Sequence, residues 1–214
     1  MKTNTQASLQ LVYFLVFSLL LGFASPSSAR DLSAPQQIIE EISNKLKNKL
    51  KEPGFGKNPE LVTEFVEREV FPHVDAFRMS ALVLGKHWRT ATKEQKKKFT
   101  YEFRDLQVRT YASAFSTQFK DWTVNFLPSK LKGGAKKTTI KTHILQQGKQ
   151  PVNVDYYMAL RKGKWKVYDV KIEGISMVIT NRNTFNDMIR RNGSLDAVIA
   201  EISKKNRNKV TKQS

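Results

Sequence analysis

Three histidines, His73, His87 and His143, and one acid set in an apolar run, Asp169, are the side chains of this sequence with most to offer acid–base chemistry. Asp169 stands between Tyr168 and Val170, and a carboxyl buried in such a strand has its pKa raised toward the range of a general base. Paired with a lysine or a backbone amide at a sheet edge, the same residue is structural. His143 falls out of phase with Ile140 and Ile144, which points it to solvent, and His87 precedes Trp88 in a connection, so packing accounts for both. There is no HExxH, no Gly-x-Ser-x-Gly, no phosphate-binding glycine loop and no acid cluster at metal-ligand spacing. Cysteine is absent, which removes disulfides, thiolate metal sites and cysteine nucleophiles together. No catalytic residue and no metal site are assigned.

Positive charge is what the sequence holds in excess. The formal net charge is +18 over 214 residues, and it is unevenly spread: residues 30–75 carry 7 basic and 9 acidic side chains, residues 76–214 carry 29 and 10. Such a field attracts anions, whether lipid head groups, nucleic acid or an acidic protein. Basic runs at residues 96–98, 130–141, 161–166 and 204–212 would suit phosphate. No helix-turn-helix, RNP-type aromatic motif or zinc finger accompanies them, and export takes the chain away from most nucleic acid, so nucleic acid is not expected as a partner.

Export is read from the N-terminus. Lys2 precedes an almost unbroken apolar run over residues 9–24, and Ser27-Ser28-Ala29 presents small residues at the cleavage positions. Residues 1–29 are expected to be a signal peptide cleaved after Ala29. Residues 30–204 then form a single domain, and residues 205–214, without apolar periodicity, a basic disordered tail.

The elements that must position these residues come in two blocks. Ser33 and Pro35 open a helix with Ile38, Ile39, Ile42, Leu46 and Leu50 at helical spacing, ended by Pro53-Gly54. Asn58-Pro59 opens a second, with an apolar face of Leu61, Phe65, Val66 and Val70, stopped before Pro72. Asp75 caps a third through Leu84, broken by Gly85, and Thr92 with Gln95 forms a capping box for the longest, ending near Thr117. That long helix has two apolar stripes, Phe99, Phe103, Leu106 and Thr110 on one and Tyr101, Val108, Ala112, Phe115 and Phe119 on the other. An arc so wide is enclosed by protein or borders a cavity.

From residue 121 the period changes to two. Trp122, Val124 and Phe126, then Ile140 and Ile144, then Val152 through Leu160, predict successive strands joined by short turns. Residues 165–172 continue the meander, with Trp165 and Val167 on one face and Tyr168, Val170 and Ile172 on the other, so both faces need cover. After Gly174, helices are expected over residues 180–191 and 195–204. The class is α+β, with room for a pocket between sheet and long helix.

Val83-Leu-Gly-Lys-His-Trp-Arg, Ala91-Thr-Lys-Glu-Gln-Lys, Phe99 with Phe103, Val108-Arg-Thr-Tyr111, Trp165-Lys-Val-Tyr-Asp-Val-Lys-Ile-Glu-Gly-Ile-Ser176, and Arg182 with Phe185 together resemble the MlaC family, also called toluene-tolerance auxiliary proteins. The resemblance covers most of residues 33–204. Where the family usually has Asn-Tyr-Arg-Ser, this chain has Thr180-Asn181-Arg182-Asn183, so the tyrosine is missing. The resemblance implies an NTF2-like curved antiparallel sheet of about four to five strands, with N-terminal and C-terminal helices enclosing an apolar cavity. It also implies a periplasmic carrier that shuttles phospholipid between outer and inner membranes and maintains outer-membrane lipid asymmetry. Its implied partners are an inner-membrane ABC transporter with an MCE-domain subunit, an outer-membrane lipoprotein–porin complex and, transiently, the membrane. Phospholipid is the bound ligand and no cofactor is implied.

The physics of such a cargo is demanding. A two-chain lipid has ~30 methylenes, each costing ~0.8 kcal/mol if left in water, so two exposed methylenes cost about a factor of ten in affinity. The lining must therefore be apolar and free of unpaired polar atoms. By alternation and helical facing, the acyl chains are expected among Phe103, Tyr111, Phe115, Val154, Tyr156, Met158, Tyr168, Val170, Ile172 and Met177, with Arg109 and Arg182 at the rim for phosphate. Two other readings are an isomerase or dehydratase on an NTF2-like sheet, which requires Asp169 or a histidine in the cavity, and a carrier of another apolar ligand.

Overall fold

A computed structural model describes residues 32–118, 122–129 and 131–208, with the side chains of 111–118 and 208 outside that description. Local capping chemistry sets most helix starts. The Gln36 side chain accepts from the Ser33 amide (3.0 Å) and hydroxyl (2.6 Å) at the head of α1 (Ala34–Leu50). Asn58 Oδ1 accepts from the Glu60 and Leu61 amides to start α2 (Pro59–Phe65). The buried face of α2 is Val62 and Phe65, while Leu61 is exposed, one residue off the expected stripe. Beyond Phe65 the helix widens into a π-turn (Val66–Val70) and then tightens into a 3-10 turn (Phe71–His73), which rotates the face carrying Val70.

Asp75 does three things at the head of α3 (Ala76–Leu84). Its carboxylate accepts from the Arg78 amide (3.1 Å) and from Arg161 Nε (3.2 Å), and its amide donates to the Val167 carbonyl (2.8 Å). Gly85, at φ 53° and ψ −114°, turns the chain into a short α4 (Lys86–Thr90), so His87 and Trp88 are helical rather than in an open connection. The reciprocal Thr92–Gln95 capping box opens α5 (Lys93–Gln118) as expected.

Five strands follow, β1 (Trp122–Phe126), β2 (Lys137–Gln146), β3 (Val152–Arg161), β4 (Lys164–Ile172) and β5 (Ile175–Ser176), each antiparallel to the next in the order β1-β2-β3-β4-β5. Ser176 Oγ then accepts from the Ile179 amide (3.1 Å) and starts α6 (Met177–Asn192) earlier than its apolar pattern suggests. The last helix, α7 (Leu195–Asn208), runs past Lys204. Asn206 explains this: its side-chain amide donates to the carbonyl (3.0 Å) and carboxylate (2.8 Å) of Glu102, anchoring residues read from sequence as the start of a tail.

One register feature overturns an expectation. Met158 pairs with Val167 but Tyr157 pairs with Asp169, so Tyr168 is an extra residue in β4, a β-bulge. The bulge resets the alternation, and Trp165, Val167, Val170 and Ile172 all share one face with Val154, Tyr156 and Met158. The strand is therefore apolar on one face, not two.

Two cores result. Beneath the inner face of the sheet, Ile140, Ile144, Val154, Met158 and Val167 pack with Ile39 and Leu46 of α1 and Val62 and Phe65 of α2. The second is purely helical, built from α3, α5, α6 and α7 around Phe99, Phe103 and Phe185. The wide apolar arc of α5 has its cause here: Phe99 and Phe103 enter the helical core, and Val108, half a turn round, enters the sheet-side core.

Candidate functional site: the inner face of the sheet

The inner face is apolar because alternation places Val154, Tyr156, Met158 on β3 and Val167, Val170 on β4 side by side, with Ile140 and Ile144 of β2 continuing the surface. Thr142 sits among them, fully buried, and its hydroxyl donates to the Val154 carbonyl at 2.9 Å, so it brings no unsatisfied group to the face. Tyr156 is the other polar side chain there. Burial pushes its phenol up to about 12, against the opposing pull of the Thr142 hydroxyl, so it is a neutral hydrogen-bonding group at physiological pH.

The α1 stripe of Ile38, Ile39 and Leu46 covers this face. Between α1 and β1 lies a groove of about 130 Å³ bordered by Glu40, Asn44, Lys47, Trp122, Val124 and Phe126. That is below the ~300 to 1,000 Å³ typical of a ligand pocket.

Of the residues expected around acyl chains, Val154, Tyr156, Met158, Val170 and Ile172 are brought together on this face. Phe103 is placed elsewhere, in the helical core, stacked on Phe99 at 5.5 Å and edge-on to Phe185 at 5.6 Å. Tyr168, carried by the bulge to the outer face, lies under the Arg78 guanidinium at 3.8 Å and near Tyr157. Met177 opens α6, half-buried, its carbonyl accepting from the Asn181 side chain at 2.8 Å. Arg182 donates from Nε to the Leu82 carbonyl at 2.7 Å and packs beside Gly85, closing the end of α3; Arg109 is half-buried on α5. Tyr111 and Phe115 lie outside the described side chains. Asn181, where the family's tyrosine would stand, also accepts from Gln107 and ties α6 to α5.

Asp169 faces away from the apolar surface. Its Oδ2 accepts from Ser176 Oγ (2.6 Å) and its Oδ1 from the Val178 amide (3.0 Å), so both oxygens serve the start of α6. His143 is on the outer face too, opposite Asn153. Asp169 and His143, two of the groups an isomerase reading could use, thus face away from the inner face. Sequence reasoning missed Ile39, Leu46 and Thr142 as parts of this surface. The helical spacing of α1 marks an apolar stripe, but nothing local says which sheet face it covers.

Four similarities bear on this geometry. A chain from Haemophilus influenzae, the intermembrane phospholipid transport system binding protein MlaC, is 23% identical over 198 residues, 89% of this chain and 91% of that protein. The toluene tolerance protein ttg2D of Pseudomonas putida is 26% identical over 185 residues, 85% of each. The solved structure of a phospholipid-binding protein from Ralstonia solanacearum, in complex with a phospholipid, superposes with a TM-score of 0.74 at 25% identity, covering 82% of this chain and 98% of that one. The model of the MlaC protein family matches residues 37–204, most of the chain, with the α+β fold described above: the chain belongs to the MlaC family.

Proposed function

We propose that this chain is a phospholipid carrier without an enzymatic step, working in the periplasm after removal of residues 1–29, and that it moves phospholipid between outer and inner membranes to maintain outer-membrane asymmetry. The observation that carries the reading is the inner face of the sheet, a contiguous apolar surface on which the buried Thr142 hydroxyl is already satisfied. It is supported by the phospholipid bound to the related Ralstonia solanacearum protein.

Acyl chains meet Val154, Tyr156, Met158, Val170 and Ile172 on this face, with Tyr111, Phe115 and Met177 as further candidates for contact and Phe103 and Tyr168 in supporting roles. Loading exchanges one apolar cover for another, since the chains take the place of α1 side chains. Arg109 and Arg182 stay outside the apolar layer, where a guanidinium meets phosphate bidentately. An inner-membrane ABC transporter with an MCE-domain subunit and an outer-membrane lipoprotein–porin complex are the partners this role requires.

Solvent extraction of the purified chain, followed by mass spectrometry, is expected to yield phospholipid. A chain that is lipid-free and takes none from vesicles contradicts the reading, and a sterol or quinone mass assigns a different apolar cargo.

A further inference from the structure

One row of paired residues crosses the sheet from core to surface. Thr142 pairs with Val154, Val154 with Ile172, and Ile172 with Ile175, so all four side chains share the inner face. Their exposures rise in that order, from 1% and 7% at Thr142 and Val154 to 41% and 66% at Ile172 and Ile175. Ile179, four residues beyond Ile175 and in the first turn of α6, is 54% exposed. Ile172 and Ile175 thus form an apolar lip where the inner face reaches water, at the β4–β5 turn, and the exposed Ile179 follows at the start of α6.

The lip's electrostatic surroundings select its partner. Between residues 174 and 186 the only charged side chain is Arg182. The neighbouring carboxylate, Glu173, is occupied: it accepts from the backbone amide of Asn153 and, at 3.2 Å, from its side-chain amide. No free carboxylate from this segment opposes an anionic surface, and residues 76–214, which include the lip, carry 29 basic against 10 acidic side chains. Branched apolar side chains at a turn, in a strongly cationic field, combine the two weak signals that hold a protein reversibly at an anionic bilayer.

We infer that Ile172, Ile175 and Ile179 form a portal lip that inserts into the surface of an anionic bilayer and lets acyl chains pass between membrane and inner face. The inference rests on the phospholipid-carrier reading and adds where the lipid crosses. Insertion at the interface removes three fully apolar side chains from water beside the track the chains follow, so no methylene needs to be hydrated during transfer.

The test compares the unaltered chain, the double variant Ile175→Asp with Ile179→Asp, and the control Phe77→Asp, an equally exposed apolar residue on α3. Each is mixed with protein-free vesicles of phosphatidylcholine with and without phosphatidylglycerol, and vesicle binding and uptake of a fluorescent phospholipid are followed. Far-UV circular dichroism checks the fold, and co-purified lipid is measured separately. The double variant is expected to keep its co-purified phospholipid and to bind phosphatidylglycerol vesicles roughly tenfold or more weakly. Phe77→Asp is expected to behave as the unaltered chain. Equal binding by the double variant, or an equal loss in Phe77→Asp, overturns the lip. So does an unaltered chain that carries lipid yet ignores protein-free vesicles, which assigns the lip to a protein partner. Absence of lipid from the unaltered chain, before and after incubation, overturns the carrier reading itself.

Discussion

The sheet-side core and the helical core are both apolar, yet they end differently. The helical core closes on itself: Phe99, Phe103 and Phe185 interlock at centroid distances of 5.1 to 5.6 Å. The sheet-side core has one wall built of strand residues and another built of side chains from α1, α2 and α5, and its apolar row continues outward through Ile172 to Ile175. An apolar region with interlocked aromatics on all sides serves stability. One whose apolar row runs out to water offers an edge at which exchange can take place.

Truncation in the helical core should separate the two most sharply. Phe103→Ala is expected to cost about 3 to 5 kcal/mol, read from urea unfolding, while leaving the identity of any co-purified lipid unchanged. A shift in bound-lipid composition without loss of stability would move Phe103 into the binding surface. Met158→Ala, at the centre of the inner face, is expected to cost about 2 to 5 kcal/mol and also to lower lipid retention per folded chain. Stability loss with unchanged retention would make that face mere packing.

Asp169→Ala tests the junction between the two regions. With Ser176 and the Val178 amide losing their acceptor, about 1 to 2 kcal/mol of stability is expected to disappear, with lipid content unaffected. Tyr156 contributes a pH-dependent effect, confined to the alkaline limb. Its phenol is raised to about 12 in the folded chain against a reference of 10.0, so the native state holds the proton more tightly than the unfolded one. Its contribution is fully present below about pH 10 and is lost as pH rises toward 12, and Tyr156→Phe should flatten that decline in an alkaline denaturation series.

The helix caps were legible in the sequence because capping is local: Ser33, Asn58, Asp75 and the Thr92–Gln95 pair need only a few neighbours to act. The order of the strands was legible for the same reason, since short turns leave few ways to pair them. Other features depend on contacts distant in sequence. The bulge at Tyr168 has no glycine to announce it and is held by Arg78 stacking from α3 and by the Asp169 contacts to α6. The extension of α7 to Asn208 depends on Glu102, far away in the chain. On the candidate site, alternation named Val154, Tyr156, Met158, Val170 and Ile172, which the sheet gathers. Helical facing alone named Phe103, which could not reveal that α5 turns one face to each core.

Whether the inner face of the sheet holds phospholipid is tested most directly by native mass spectrometry of the purified chain. The expected spectrum shows the chain with an added mass that dissociates as intact phospholipid, restored by vesicles after delipidation. A bare chain mass under both conditions, from protein that is folded, would contradict the account.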